Sequence, residues 1–518
     1  MQQQQHALEI PEILSLVGSF LPLWEHTSPQ YSENGTFVFN PNPLCTCLQV
    51  SKLWNRTLLP ILWHGYWYES MIRVPDEIIR RHSHLFMTLH LSEWAHLSHD
   101  ISLFNCTSLI DLSIFTCDDR RNKEGGVEGG GGLRGSKDSR KQRGVNILHA
   151  KRLLRSNPQL QGLSWRRFGG KGKALDVEDF VTLSGLERLT LENWNSSGGQ
   201  LGDVLRIAAG SLQEIKLDCI DGVLPEQLSA PVTSTLTEEE CGTVKGTGLV
   251  HGDGELVLAQ LELLEVGEIG FSGGVDEFLA ELVKRCPRLK TFRTFSLFKN
   301  FGVDHLATCL GNHCPNIESL ELLGVLETYK VETLIRHCSP NQPQLRTLHI
   351  VIHNLTDGPG LVSVILQHAT TLEDLWIRST HPKQMDGSHC LELLVGCARL
   401  SRFAYLTEEA LDLDFLEAMK QERWGCRGTL RELKFREGCK GFSTRQTNAE
   451  RREVMSLLSK TGWEEVRDDI EDDGEHSSGN DDSQNDPTML RKVLELVRCQ
   501  QLEALKVLIV GLQTFQRI

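Results

Sequence analysis

An apolar pattern, L-x-x-L-x-L with other apolar residues standing in, recurs along the chain from Phe86 to Val507. It reads Phe86/Leu89/Leu91, Leu109/Leu112/Ile114, Leu160/Leu163/Trp165, Leu186/Leu189/Leu191 and Leu212/Ile215/Leu217. It goes on as Leu261/Leu264/Val266, Leu289/Phe292/Thr294, Ile317/Leu320/Leu322, Leu345/Leu348/Ile350 and Leu372/Leu375/Ile377. It ends as Leu400/Phe403/Tyr405, Leu430/Leu433/Phe435 and Leu502/Leu505/Val507. The successive spacings are 23, 51, 26, 26, 49, 28, 28, 28, 27, 28, 30 and 72 residues.

The last two apolar positions of each unit are two apart and share one face of a short strand. Helical faces lie between the strands: Phe278, Leu279, Leu282, Val283 and Cys286; Val331, Leu334, Ile335 and Cys338; Leu361, Val364 and Ile365. Pro287 and Pro315 mark helix ends. One such strand buries two or three side chains, on the order of 6 kcal/mol, and ordering its repeat costs several times that. A single repeat therefore cannot fold alone, and neighbours must share a core. The expected fold class is α/β: a leucine-rich-repeat solenoid (horseshoe) over residues 80–518, parallel strands on the concave face and helices outside.

Three stretches interrupt the pattern and read as flexible inserts. Residues 119–144 are Gly-rich and basic, 223–254 are rich in Thr, Glu and Gly, and 461–488 are acidic. The gaps of 51 and 49 residues hold either two periods or one period with an insert. Little chain follows Leu508-Ile509-Val510, so the last edge is expected to be covered by the flanks of the acidic insert or by a partner.

Strand positions between the core residues are expected to face outward. They give candidate substrate-binding residues Arg293, Phe295, Glu321, His349, Trp376, Arg378, Lys434 and Arg436. Trp and Arg are frequent anchors of protein interfaces. Cys286, Cys314 and Cys397 each stand three residues before a repeat's first apolar position, a recurring slot in which cysteine serves as a small hydrophobe.

The first 85 residues lack the repeat. Ile10, Ile13, Leu14, Val17, Phe20 and Leu21 make one helical face. Leu44, Cys47 and Leu48 begin a second, continued by Val50, Leu53, Trp54, Thr57 and Leu58 and interrupted by Pro60. The stretch from Glu25 to Pro43 reads as turns. So few short helices make no large core; such a module docks its apolar surface on a partner and on the first repeats.

Composition narrows the function. The chain starts without a basic segment followed by an apolar one, and no apolar run approaches the 18 residues or so of a membrane span. Fifteen cysteines without a secretory signal imply reduced thiols in cytoplasm or nucleus. Of the net charge of -15, the stretch Glu464–Pro487 accounts for most, with eleven acidic residues and one arginine. No domain-wide basic excess remains, so neither nucleic acid nor membrane is an expected partner. Neither a phosphate loop, nor H-E-x-x-H, nor G-x-S-x-G occurs, so catalysis, cofactor and metal are not expected.

The segment IPEILSLVGSFLP, followed by LCTCLQVSKLWNRTLLPILW, resembles an F-box over residues 8–64. The residues carrying the resemblance are Pro11, Glu12 and Ile13, then Val50, Ser51 and Trp54, then Trp63. The usual Leu-Pro-x-Glu start is shortened to Ile10-Pro11-Glu12, and the loop between the halves is longer than usual. The repeats that follow resemble those of F-box/leucine-rich-repeat proteins, in the same order. The resemblance implies a non-catalytic substrate receptor of an SCF-type (Skp–cullin–F-box) ubiquitin ligase. Pro11, Ile13, Leu14, Leu48, Val50 and Trp54 would bind a Skp-family adaptor, and through it a cullin, while the repeats hold a substrate protein. The alternative is a protein-binding scaffold with no link to ubiquitination.

Overall fold

The computed structural model describes residues 10–21, 24–26, 37–71, 73–91, 104–117, 147–168, 175, 177–194, 200–222, 225–229, 256–270, 275–295, 302–338, 344–354, 358–379, 387–407, 420, 422–437, 463–466, 505, 507–510 and 513–517. The chain forms two compact units, Met1–Gln260 with Ile269–Ser272, and Leu261–Glu268 with Gly273–Ile518. The fold is α/β, with parallel strands alternating with helices.

The first unit opens with α1 (Pro11–Ser19), whose first helical position is a proline, where a missing N–H costs nothing. Next come β1 (Trp24–His26) and β2 (Phe37–Phe39), paired antiparallel. This corrects the expectation of turns from 25 to 43: Trp24, Phe37, Val38 and Phe39 are strand-favouring residues. α2 (Asn42–Leu48) and α3 (Lys52–Leu62) complete the module. The Ser51 hydroxyl caps α3 by accepting a hydrogen bond from the Trp54 N–H at 3.2 Å. Pro60 does not interrupt the pattern as expected, because it falls in the last turn of a helix that runs on to Leu62. α1 and α2 pack on α3, burying Leu14, Leu44, Leu58 and Leu62. Gly18 permits the close approach: a Cβ there would lie 2.6 Å from Leu58 Cδ2 and 2.8 Å from Ile61 Cδ1.

The repeats follow without a break: β3 (Gly65–Trp67), α4 (Tyr68–Met71), α5 (Asp76–His82), β4 (Thr88–Leu91), β5 (Asp111–Cys117), α6 (Ile147–Arg155), β6 (Gly162–Phe168), β7 (Arg188–Glu192), α7 (Gln200–Ala208), β8 (Glu214–Asp218), β9 (Ile220–Asp221) and α8 (Glu226–Ser229). From β3 to β8 each strand pairs parallel with the next. The array thus starts at Gly65, earlier than residue 80. Its first repeat is carried by Trp63, Tyr66 and Tyr68, all buried, which fill the apolar positions with aromatics and so escape an aliphatic pattern. β5 pairs directly with β6, so the gap of 51 residues is one period with an insert. Most of the 119–144 and 223–254 stretches lies outside the described residues, but α8 belongs to the latter and is helical.

The second unit contributes β10 (Leu263–Val266); the short β11 (Ile269–Gly270) that follows belongs to the first unit and pairs parallel with β9. Then come α9 (Val275–Lys284), β12 (Thr291–Thr294), α10 (Val303–His313), β13 (Ser319–Glu327), α11 (Thr328–His337), β14 (Thr347–Asn354), α12 (Gly358–Leu366), β15 (Asp374–Ser379), α13 (Gly387–Gly396), β16 (Arg402–Thr407), β17 (Glu432–Glu437), β18 (Trp463–Val466), β19 (Val507–Val510) and β20 (Gln513–Arg517). Strands β10, β12 to β17 and β19 pair parallel in that order. β20 then runs antiparallel to β19, and β18 antiparallel to β20. β20 thus covers β19, and β18, from the start of the 461–488 stretch, lies outside it, so that the expected insert begins with a strand.

Three devices hold the repeats in step. First, two consecutive amides before or at each strand start donate to one carbonyl of the preceding repeat: Met87 and Thr88 to His64, Glu318 and Ser319 to Lys290, Arg431 and Glu432 to Ser401. Second, a hydroxyl just before the first apolar residue reaches back one repeat: Ser211 to the Leu186 carbonyl at 2.7 Å, Thr371 to Leu345 at 2.9 Å, Thr429 to Leu400 at 2.8 Å. Third, the slot three residues before the first apolar position is closed by a small buried group. Cys106, Cys286, Cys314 and Cys397 fill it. In one repeat Asn157 does so instead, accepting from the Leu109 N–H at 2.9 Å and donating to the carbonyls of Cys106 at 3.0 Å and Leu153 at 2.7 Å. Among the described residues, no helix is long and apolar enough to cross a membrane.

Candidate functional sites: an apolar helical face and a charged strand face

The N-terminal module shows the solvent more apolar surface than a finished core would. Leu16 is 59%, Val17 41%, Phe20 77% and Val50 60% exposed. Leu16 on α1 and Phe20, which caps its C-terminal end, stand four apart and share a side. Of the adaptor residues expected from sequence, Pro11 and Val50 are exposed, and Ile13, Leu48 and Trp54 are half-buried. Leu14 is a correction. It is fully buried in the module's own core, because α1 turns that side toward α3. Leu16 was missed, and the signal was there: a helix on so small a module has a second side, and Leu16 is apolar on it.

The second candidate is the strand face of the second unit. Along β12, exposure alternates, with Phe292 and Thr294 buried and Thr291 and Arg293 partly open; Trp376 and Arg378 on β15 are likewise the more open positions between buried ones. A chain of side-chain contacts runs across six strands there, β10 and β12 to β16. Arg293 donates to Glu321 through Nε at 2.8 Å and Nη2 at 2.9 Å, and through Nη1 to Glu265 at 3.2 Å. His349 lies between two carboxylates, with Nδ1 3.5 Å from Glu321 and Nε2 3.2 Å from Asp374. Arg402 reaches the same Asp374 oxygen at 2.6 Å. The Trp376 ring lies 6.0 Å from that of His349.

These contacts set the charge states. Burial alone would lower the His349 pKa; its hydrogen bonds to Asp374 and Glu321 outweigh burial and push it up to about 9. Burial alone would raise Glu321, yet the bonds from His349 and Arg293 bring it down to about 2. His349 is thus held as a cation and Glu321 as an anion at neutral pH. This also revises the expected reading surface. Glu321 is only 7% exposed, and its carboxylate is engaged by Arg293 and His349, so it braces the strands. Phe295 is 47% exposed, Arg378 is exposed, and Trp376 and Lys434 are half-buried. Arg436 pairs in register with Leu406 on β16, its side chain lying outside the described residues.

Burial pushes the thiols of Cys106, Cys314, Cys338, Cys397 and Cys426 up to about 12, which leaves them protonated and poor nucleophiles. Among the described residues, no group of three or more His, Cys, Asp or Glu could hold a metal ion. No family model matches the chain, and no curated protein matches it.

Proposed function

We propose that the chain is a non-catalytic adaptor: the N-terminal module is an F-box that docks on a Skp-family adaptor of an SCF-type ubiquitin ligase, and the repeats are leucine-rich repeats, curved into a horseshoe, that hold a substrate protein. The observation that carries this reading is the apolar side of α1, Leu16, Val17 and Phe20, left open together with Val50 on a module continuous with the repeats. Apolar side chains this exposed on so small a module are accounted for by a partner that covers them. Substrate bound on the strand face would be held near a conjugating enzyme carried elsewhere in the complex, raising its effective concentration.

The test is co-purification of the full chain with a Skp-family adaptor. A complex is expected, and Leu16→Ala/Phe20→Ala should weaken it by about 2 kcal/mol or more, since truncating central apolar anchors costs that much. No complex, or one indifferent to the double substitution and to Val50→Ala, overturns the ligase reading and leaves a scaffold without a link to ubiquitination.

A further inference from the structure

The apolar pattern that builds the repeats is nearly the same in each, so the core alone cannot tell a strand's proper neighbour from the one beyond it. Leaving one repeat out of line only lengthens a connection, and the chain entropy this costs grows slowly with length. In the second unit the outer face supplies what the core lacks. Its charges alternate in sign from strand to strand: Glu265 on β10, Arg293 on β12, Glu321 on β13, His349 on β14, Asp374 on β15, Arg402 on β16 and Glu432 on β17. All steps but the last are contacts. Arg293 reaches Glu265 at 3.2 Å and Glu321 at 2.8 Å, His349 lies between Glu321 at 3.5 Å and Asp374 at 3.2 Å, and Arg402 meets Asp374 at 2.6 Å. The last, Arg402 to Glu432, is a pairing in register. Both ring nitrogens of His349 face carboxylate oxygens, so both carry a proton and the ring is a cation.

Skipping one repeat sets like against like throughout. Glu265 would then meet Glu321, Arg293 would meet His349, Glu321 would meet Asp374, His349 would meet Arg402, and Asp374 would meet Glu432. Arg378 and Arg436, each in register with Leu406, would meet each other. Like charges on neighbouring strands repel. In the first unit, by contrast, Arg188 reaches past Gly162 to Asp111 two strands away, so the strict alternation belongs to the second.

We propose that the alternating charges on the outer face of β10 and β12 to β17 identify each strand's proper neighbour while the second unit folds, by repelling any arrangement in which a repeat is passed over. The proposal concerns how the array assembles. It does not need the ligase, so failure of the adaptor complex leaves it standing.

Refolding of the full chain from urea tests it. Arg293→Glu/Glu321→Arg keeps that ion pair, yet sets residue 293 against Glu265 and residue 321 against His349, and makes both skipped pairings attractive. Refolded at equal distances below their own urea midpoints, so that stability is matched, the double variant is expected to return about threefold less native monomer than the wild type on gel filtration. The loss should fade in about 1 M sodium chloride. Adding Glu265→Arg and His349→Gln restores opposite neighbours along β10, β12 and β13 and is expected to recover the yield. Relief by salt or by the two added substitutions supports the proposal. If the double variant does not fold at all, the fourfold variant decides: native monomer from it supports the proposal, and none overturns it. A double variant that refolds as the wild type does, or one relieved neither by salt nor by the added substitutions, also overturns it.

Discussion

Arg293 on one strand holds Glu321 on the next with two side-chain hydrogen bonds, at 2.8 and 2.9 Å, so a fixed fork joins neighbouring repeats. Their backbone positions pair directly in register. Hydrogen bonds to charged groups contribute about 1.5–3 kcal/mol each way, and this pair is only partly screened. Arg293→Ala is therefore expected to destabilise the second unit by about 2 kcal/mol, seen as a lower midpoint in urea. An unchanged midpoint would mean that His349 and the Ser319 hydroxyl, which donates to Glu321 at 3.3 Å, satisfy that carboxylate without Arg293.

His349 gives a pH signature. Its folded pKa of about 9 lies above the ordinary 6.5, so its contribution is complete below 6.5 and is lost as pH rises through 9. Glu321, at about 2 against an ordinary 4.5, contributes fully above 4.5 and loses its share as pH falls toward 2. Stability should peak between these limits. His349→Gln is expected to flatten the alkaline limb and, because His349 is one of the groups that hold Glu321 ionised, to shrink the acid limb to the share that Arg293 keeps, which thermal melts across a pH series would reveal.

Asn157 stands in a slot that cysteine fills elsewhere. Asn157→Leu strands one buried N–H and two carbonyls and is expected to cost about 3 kcal/mol. Asn157→Cys cannot make the three bonds either, and should recover only part of the loss. A chemical-denaturation comparison of the two variants measures the difference.

Gly18 allows α1 to lie against α3. In Gly18→Val the new side chain meets Leu58 and Ile61, and overpacking of this kind costs about 1–3 kcal/mol. The expected outcome is a lower Tm for the N-terminal module with the repeats' transition unchanged. If Tm does not fall, α1 has room to move away.

The thiols should sort by burial. Brief alkylation of the native protein followed by mass spectrometry is expected to label Cys47 and Cys219 before Cys286, Cys314, Cys338, Cys397 or Cys426, which are buried. Labelling of the buried set at the same rate would mean that the second unit opens readily.

The repeats were legible in sequence because alternation at two residues, renewed every 26–30, has few other solutions. Strands β12 to β17 fall where Phe292, Leu320, Leu348, Leu375, Phe403 and Leu433 place them. The start was misread because Trp63, Tyr66 and Tyr68 serve as the aliphatic residues do, and β1 and β2 because their residues sit among prolines and glycines. The outward positions could be read from the same alternation. Their roles could not: the engagement of Glu321 by residues 28 positions away on either side depends on the register between strands, which no local pattern contains. Leu14 was misassigned for a related reason, since periodicity gives a helix an apolar side without saying which neighbour takes it.

The reversal of direction at β20 and β18 fixes how long the array can be. Each repeat offers the next a strand of its own polarity, an arrangement that by itself has no natural stop and could go on from one molecule to another. The antiparallel pairing of β20 on β19 ends that continuity within the chain. The strand left outermost, Trp463–Val466, is only four residues long, and so short an edge offers little backbone for the strand of another molecule to pair with.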